Sequence, residues 1–175
     1  MNKLAAHFKT ITHHRHAVIR NCWYAGIFFQ GLFHDLSKYS PSEFIVGVRH
    51  YQGTRSPNEG EREDYGYSLA WMHHKGRNKH HFEYWTDYDS VTKKLRPVKM
   101  PMRYVKEMFC DRVAASRTYL GENYTDSAPL DYFIRGNTAT RMHPETAALL
   151  ERLLRMLKEK GEKKTFAYIR RLKDY

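Results

Sequence analysis

Pro101 and Gly121 bracket the stretch PMRYVKEMFCDRVAASRTYLG, and apolar residues return between them at helical spacing. Proline fits a first helical turn because the N–H it lacks would be orphaned there. Glycine fits just past the last turn, where the left-handed conformation closes a helix. The same punctuation recurs along the chain. SPSEF starts a helix at Ser40, with Pro41 at its first position and Glu43 three residues after the cap, running to about Tyr51. HPETAALLERLLRMLKEKG runs from Pro144 to Gly161, and a short helix follows over about Lys164 to Lys173. Ile11, Val18, Cys22, Ala25 and Phe29 give residues 3 to 33 a helical stripe, GYSLAWMHHKG carries a helix from about Tyr65 to Gly76, and APLDYFIRG a short one. QGTRSPNEGERED reads as a polar loop. RNKHHFEYWTDYDSVTKKLRPVKMP reads as a helical turn followed by a loop of ~12 residues. Alternating β patterning is scarce, no linker divides the chain, and no repeat stands out. The expectation is one all-α domain over residues 1–175, a helical bundle with a basic helical segment at about 143–175.

With 41% hydrophobic and 28% charged residues the composition is that of a globular chain, not a disordered one. The longest apolar run, CWYAGIFF, is eight residues, far short of a membrane span. Cys22 and Cys110 cannot build a disulfide framework, and with no signal-peptide pattern at the start a cytoplasmic protein is expected. The net charge of +11 favours phosphorylated partners, a nucleotide or other small phosphate first and nucleic acid second; a solvated basic helix face accounts for it equally well.

Several polar residues sit on the apolar stripes. Asp111 falls among Tyr104, Met108, Ala115 and Tyr119; His14 falls between Ile11 and Val18; His34 and Asp35 follow the apolar run directly. Paired histidines follow at His73–His74 and His80–His81, at least one of them facing inward. A buried unpaired carboxylate costs several kcal/mol or more. Salt bridges or satisfied core histidines explain each residue alone. A metal ion held by His and carboxylate ligands from several helices explains them together, and the thiol-poor set argues against a Cys-type structural zinc site.

These residues resemble the HD superfamily of metal-dependent phosphohydrolases, which has a His on one helix, an adjacent His-Asp at the end of another, and an Asp on a later helix. HHRHAV supplies His14, with His13 and His16 as alternatives; HDLSK supplies His34, Asp35 and Lys38; EMFCDRVAAS supplies Asp111. Binuclear branches add histidines in the interval where the two pairs lie. The wider texture also resembles an uncharacterised family of short bacterial and viral proteins. The resemblance implies one or two divalent ions (Mn, Mg, Zn, Co or Fe) on His14, His34, Asp35, His74, His81 and Asp111. It implies Lys38 and Asp35 as catalytic residues, and Lys38, Lys75, Arg77, His73 and His80 toward a substrate phosphate. A di-iron oxygenase and a basic nucleic-acid-binding module are the rival expectations. Only 20 residues separate His14 from His34, shorter than usual for that superfamily, so either the first two helices are tightly connected or one helix bends near Gly26 or Gly31.

Overall fold

The computed structural model describes residues 2–175. Among them the chain forms eight α-helices and one two-stranded sheet: α1 (Lys3–Ala25), α2 (Phe28–Leu32), α3 (Pro41–Arg49), α4 (Pro57–Tyr65), α5 (Leu69–Arg77), β1 (Thr86–Asp89), β2 (Lys94–Pro97), α6 (Met102–Leu120), α7 (Ala128–Arg135) and α8 (Pro144–Arg171). No described helix is long and apolar enough to cross a membrane.

The core is a seam of α1, α6, α7 and α8. Val18, Cys22 and Ala25 of α1 meet Val105, Phe109 and Val113 of α6, and Leu150, Leu153, Leu154 and Leu157 of α8 close over them. These apolar residues recur every three or four positions, as a buried helical stripe requires. Lys158, Lys160, Lys163 and Lys164 of α8 are exposed, so the basic C-terminal segment is a solvated face over a leucine seam. Gly161, at φ 73 and ψ 171, breaks α8 where the Gly punctuation predicts a stop. On α6 the expected stripe is displaced. Of Tyr104, Met108, Ala115 and Tyr119 only Met108 is buried, while Met102, Val105, Phe109 and Val113 face the core.

The expected helix over 3–33 is two helices. Gly26, at φ 80, ends α1 and donates its N–H to Cys22 O and Trp23 O. The chain then folds back, and α2 presses against α1 so closely that a Cβ at Gly31 would lie 2.6 Å from the Cys22 Cβ. Phe29, assigned to the apolar stripe, is instead 77% exposed. The fold-back explains the short interval. α1 rises about 16 Å beyond His14 before Gly26, and the reversal returns His34 to it.

Two elements escape the periodicity. α4 occupies the expected polar loop; it has no apolar stripe and is held by its capped start and by a tie at its middle residue. Ser56 caps it, Pro57 is its first residue, and its buried Glu61 accepts hydrogen bonds from Ser68 Oγ (2.5 Å) and Ala70 N (3.3 Å), fastening α4 to the start of α5. β1 and β2 occupy the other expected loop as an antiparallel hairpin. Its turn is set by Asp89 Oδ1, which accepts from the N–H groups of Val91 and Thr92.

Candidate metal centre

His14 projects from the middle of α1, buried, whereas His13 and His16 are exposed. The helical phase selects His14, since only it shares the stripe of Ile11 and Val18. His34 and Asp35 leave the end of α2. Asp35 adopts a left-handed conformation (φ 52, ψ 26), tolerated by Asp better than by most side chains, and opens a 3-10 turn that carries Lys38. His74 lies on α5, His80 and His81 just beyond its end, and Asp111 on α6.

These residues converge on the Asp35 carboxylate. Oδ2 lies 3.2 Å from His34 Nε2 and 3.9 Å from His14 Nε2. Asp111 Oδ1 closes that side at 3.0 Å from His14 Nε2 and 3.5 Å from His34 Nε2. Oδ1 of Asp35 faces the other way, 3.4 Å from His74 Nε2 and 3.5 Å from His80 Nε2, with His81 Nε2 2.9 Å from His74 Nε2. Asp35 therefore belongs to two groups, one with His14, His34 and Asp111 and one with His74, His80 and His81, and the ligand atoms of each lie within 4.8 Å of one another. Metal–ligand bonds of ~2.1 Å imply ligand-to-ligand edges of about 3.0–3.4 Å in octahedral or tetrahedral geometry. Most of these separations fall in or near that range.

A second feature fits a cation. Nε2 of His14, His34 and His80 and both oxygens of Asp35 are buried without an aligned hydrogen bond, although Lys38 Nζ makes an ion-pair contact with Oδ2 at 2.6 Å. Buried polar atoms are rarely left so, and five around one point call for a shared partner. The outer nitrogens of His34, His74 and His80, by contrast, face carboxylates. Glu107 Oε1 accepts from Nδ1 of His34 (2.9 Å) and lies 3.2 Å from Nδ1 of His80, and Gln30 holds its other oxygen. Glu43 accepts from Nδ1 of His74 and of His73, both at 2.7 Å. A carboxylate on Nδ1 fixes the tautomer that presents the Nε2 lone pair inward, the arrangement metal-binding histidines use.

The charges of Asp35, Asp111, Glu107, His14 and His81 are consistent with these roles. Burial opposes ionisation of Asp35, but His34, Lys38 and His74 outweigh it and hold its carboxyl well below the usual range. Burial likewise opposes ionisation of Asp111, and His14 and His34 hold it low. The same contest, with His34 and His80 as partners, sets Glu107 at about 2. Burial lowers His14, with Lys38 adding to the effect, and burial with the neighbouring His80 and His74 lowers His81 well below 6.5. Both imidazoles are therefore neutral near pH 7, as a ligand must be. His34 goes the other way: Asp35, Asp111 and Glu107 overcome its burial and raise it.

A cavity of about 830 Å³ opens over the cluster, and His14, Lys38, His74, His81 and Asp111 reach its wall. The remaining candidates are placed differently. His80, expected toward substrate, lies inside the ligand group with His74 and His81. His73 is held on Glu43, away from the Asp35 carboxylate. Lys75 and Arg77 are not on the cavity wall, because the far side of α5 carries them outward, and Arg77 reaches only to the His73 carbonyl at 3.5 Å. Glu107 and Glu43 were not anticipated. Glu107 was legible as the residue one turn before Asp111. Glu43 reads as the reciprocal half of a capping box, yet Ser40 makes no side-chain cap bond and Glu43 turns inward to the histidines.

No curated protein and no solved structure matches the chain. A family model does match, over most of its length, and it carries no activity with it. The chain belongs to the family of unknown function DUF5662, whose model covers residues 3–156.

Proposed function

We infer that this protein is a metal-dependent phosphohydrolase of the HD type, acting on a nucleotide or another phosphate ester. The observation that carries the reading is the shared carboxylate: Asp35 turns one oxygen to His14, His34 and Asp111 and the other to His74, His80 and His81, with Lys38 beside it at the cavity wall. The order His14, His34–Asp35, Asp111 follows the HD pattern, and the histidines between lie where its binuclear branches carry theirs.

Divalent ions held there would polarise a phosphoryl oxygen and bring the pKa of a water toward ~7. The chain's own groups supply the rest. Lys38, a cation whose pairing with Asp35 raises its pKa further, donates to a phosphoryl oxygen and offsets charge gathering there. Asp111 accepts a hydrogen bond from the attacking water and aims it at phosphorus. The water oxygen gives up a proton to solvent as it forms the new P–O bond, the ester P–O bond breaks, and the leaving alkoxide takes a proton from solvent.

The test is hydrolysis of a panel of phosphate esters by the purified protein under added Mn, Mg, Co, Zn or Fe, with metal content measured in parallel. Lys38→Ala is expected to retain its metal and lose about 10²–10³ in kcat, the cost of removing one such donor. A metal-loaded wild type that cleaves no ester ends the reading. Should it hold iron with visible absorption and consume oxygen, the histidine-rich second group serves a di-iron oxygenase instead.

A further inference from the structure

The cavity holds cations of two kinds. Lys38 is paired with Asp35, Arg62 with Glu59, and Arg55 with Glu63. Arg112 of α6, next to Asp111, Arg135 of α7 and Arg141 of the following 3-10 turn also line the cavity, and none makes an ion pair among the described residues. Glu83 also lines the cavity, its Oε2 buried without a hydrogen-bond partner, and no arginine lies within ion-pair distance of it.

Aromatic rings take the place of acids. The Arg112 guanidinium lies 5.7 Å from the Phe133 ring centre, Arg135 5.8 Å from that of Tyr132, and Arg141 5.4 Å from that of Phe82. Stacking on a ring holds a guanidinium in place without neutralising it or using its N–H fork. Arg112 Nε is buried with no hydrogen-bond partner, a donor withheld from solvent and left unused. Three positioned guanidiniums without an ion-pair partner, of which Arg141 also donates from Nη2 to the Gly136 carbonyl at 3.4 Å, line one cavity and make a receptor for an anion, and phosphate oxygens match the fork.

We propose that the Arg112–Arg135–Arg141 wall is a second anion subsite, and that the substrate carries a further phosphate there while its scissile phosphate lies at Asp35. The inference rests on the phosphohydrolase reading and narrows it: the substrate is a small molecule with two or more phosphate groups, not a simple monoester. Lys38 serves the phosphoryl group that reacts; the arginine wall serves the one that does not, supplying binding energy remote from the chemistry.

Non-hydrolysable probes separate this from turnover. Alkane bisphosphonates of increasing spacer length and butylphosphonate are titrated calorimetrically into the metal-loaded full chain. At least one bisphosphonate is expected to bind ten-fold or more tighter than butylphosphonate. Arg135→Ala/Arg141→Ala, which alters two exposed side chains, abolishes that margin and changes butylphosphonate affinity by no more than about two-fold. Lys163→Ala/Lys164→Ala on α8 removes equal charge and keeps the margin. A wild type with no preference for any bisphosphonate, or a margin that survives loss of both arginines, overturns the subsite. A preference that depends on the arginines in a protein that cleaves no phosphate ester upholds the subsite and ends the phosphohydrolase reading; ester cleavage without the preference does the reverse.

Discussion

Asp35→Asn is expected to leave less than a tenth of the bound metal of wild type and to lower the proposed ester hydrolysis by at least three orders of magnitude. The side chain keeps its shape, and Asn accepts the left-handed backbone at this position as readily as Asp does. What changes is charge. One carboxylate serves both ligand groups, so its neutralisation weakens both together, and the amide that replaces it has one weak acceptor where Asp35 has two oxygens. His81→Ala makes the contrast, since His81 belongs to one group alone. It should lose about half the metal and keep the ion at His14, His34 and Asp111. Elemental analysis of the two variants beside wild type checks the ordering. Equal loss in both, or full metal in Asp35→Asn, contradicts a shared carboxylate.

Chelation is expected to lower the melting temperature by about 10 °C. Without a cation, Asp35 and Asp111 are two low-pKa carboxylates among buried imidazoles, and five buried polar atoms around them lack aligned hydrogen bonds. A ligand that binds only the folded chain, present at a thousand times its Kd, stabilises by about 4 kcal/mol. For a chain of this size each kcal/mol moves the melting temperature by about 2–4 °C. Differential scanning fluorimetry with and without chelator, and with metal restored, reads the shift. The Asp35→Asn variant should show almost none, because it has little metal to lose. A wild-type transition indifferent to chelator would mean the cluster is satisfied as a hydrogen-bonded polar core.

The helices with apolar stripes were legible because burial imposes a period on the sequence. α6 lies between Pro101 and Gly121 as its punctuation predicts, and the break in α8 lies at Gly161. α4 was not legible, since its stability comes from Ser56, Pro57 and the tie between Glu61 and Ser68, none of which has a period. The hairpin was hidden for a related reason: its strands are short and exposed on both faces, so they carry no alternation. At the candidate centre the convergence of His14, His34, Asp35, His74, His81 and Asp111 could be anticipated, because each interrupts or ends an apolar row or lies in a conspicuous pair. The division of labour within the pairs could not. It depends on where α5 ends: His74 occupies the inward face and His73 the flank, while His80 and His81 both turn in because the helix has already stopped at Arg77. Glu43 was obscured by a local motif that competes for the same residue, a capping box on one side and two imidazoles on the other.

Crystals of the metal-loaded protein, with diffraction recorded on either side of the metal's absorption edge, test the central claim most directly. Two anomalous peaks are expected about 3.5–4 Å apart, the spacing at which one carboxylate bridges two ions. One should lie among His14, His34 and Asp111 and the other among His74, His80 and His81, with the Asp35 carboxylate between them. An anomalous map with no peak beside Asp35 would contradict the account.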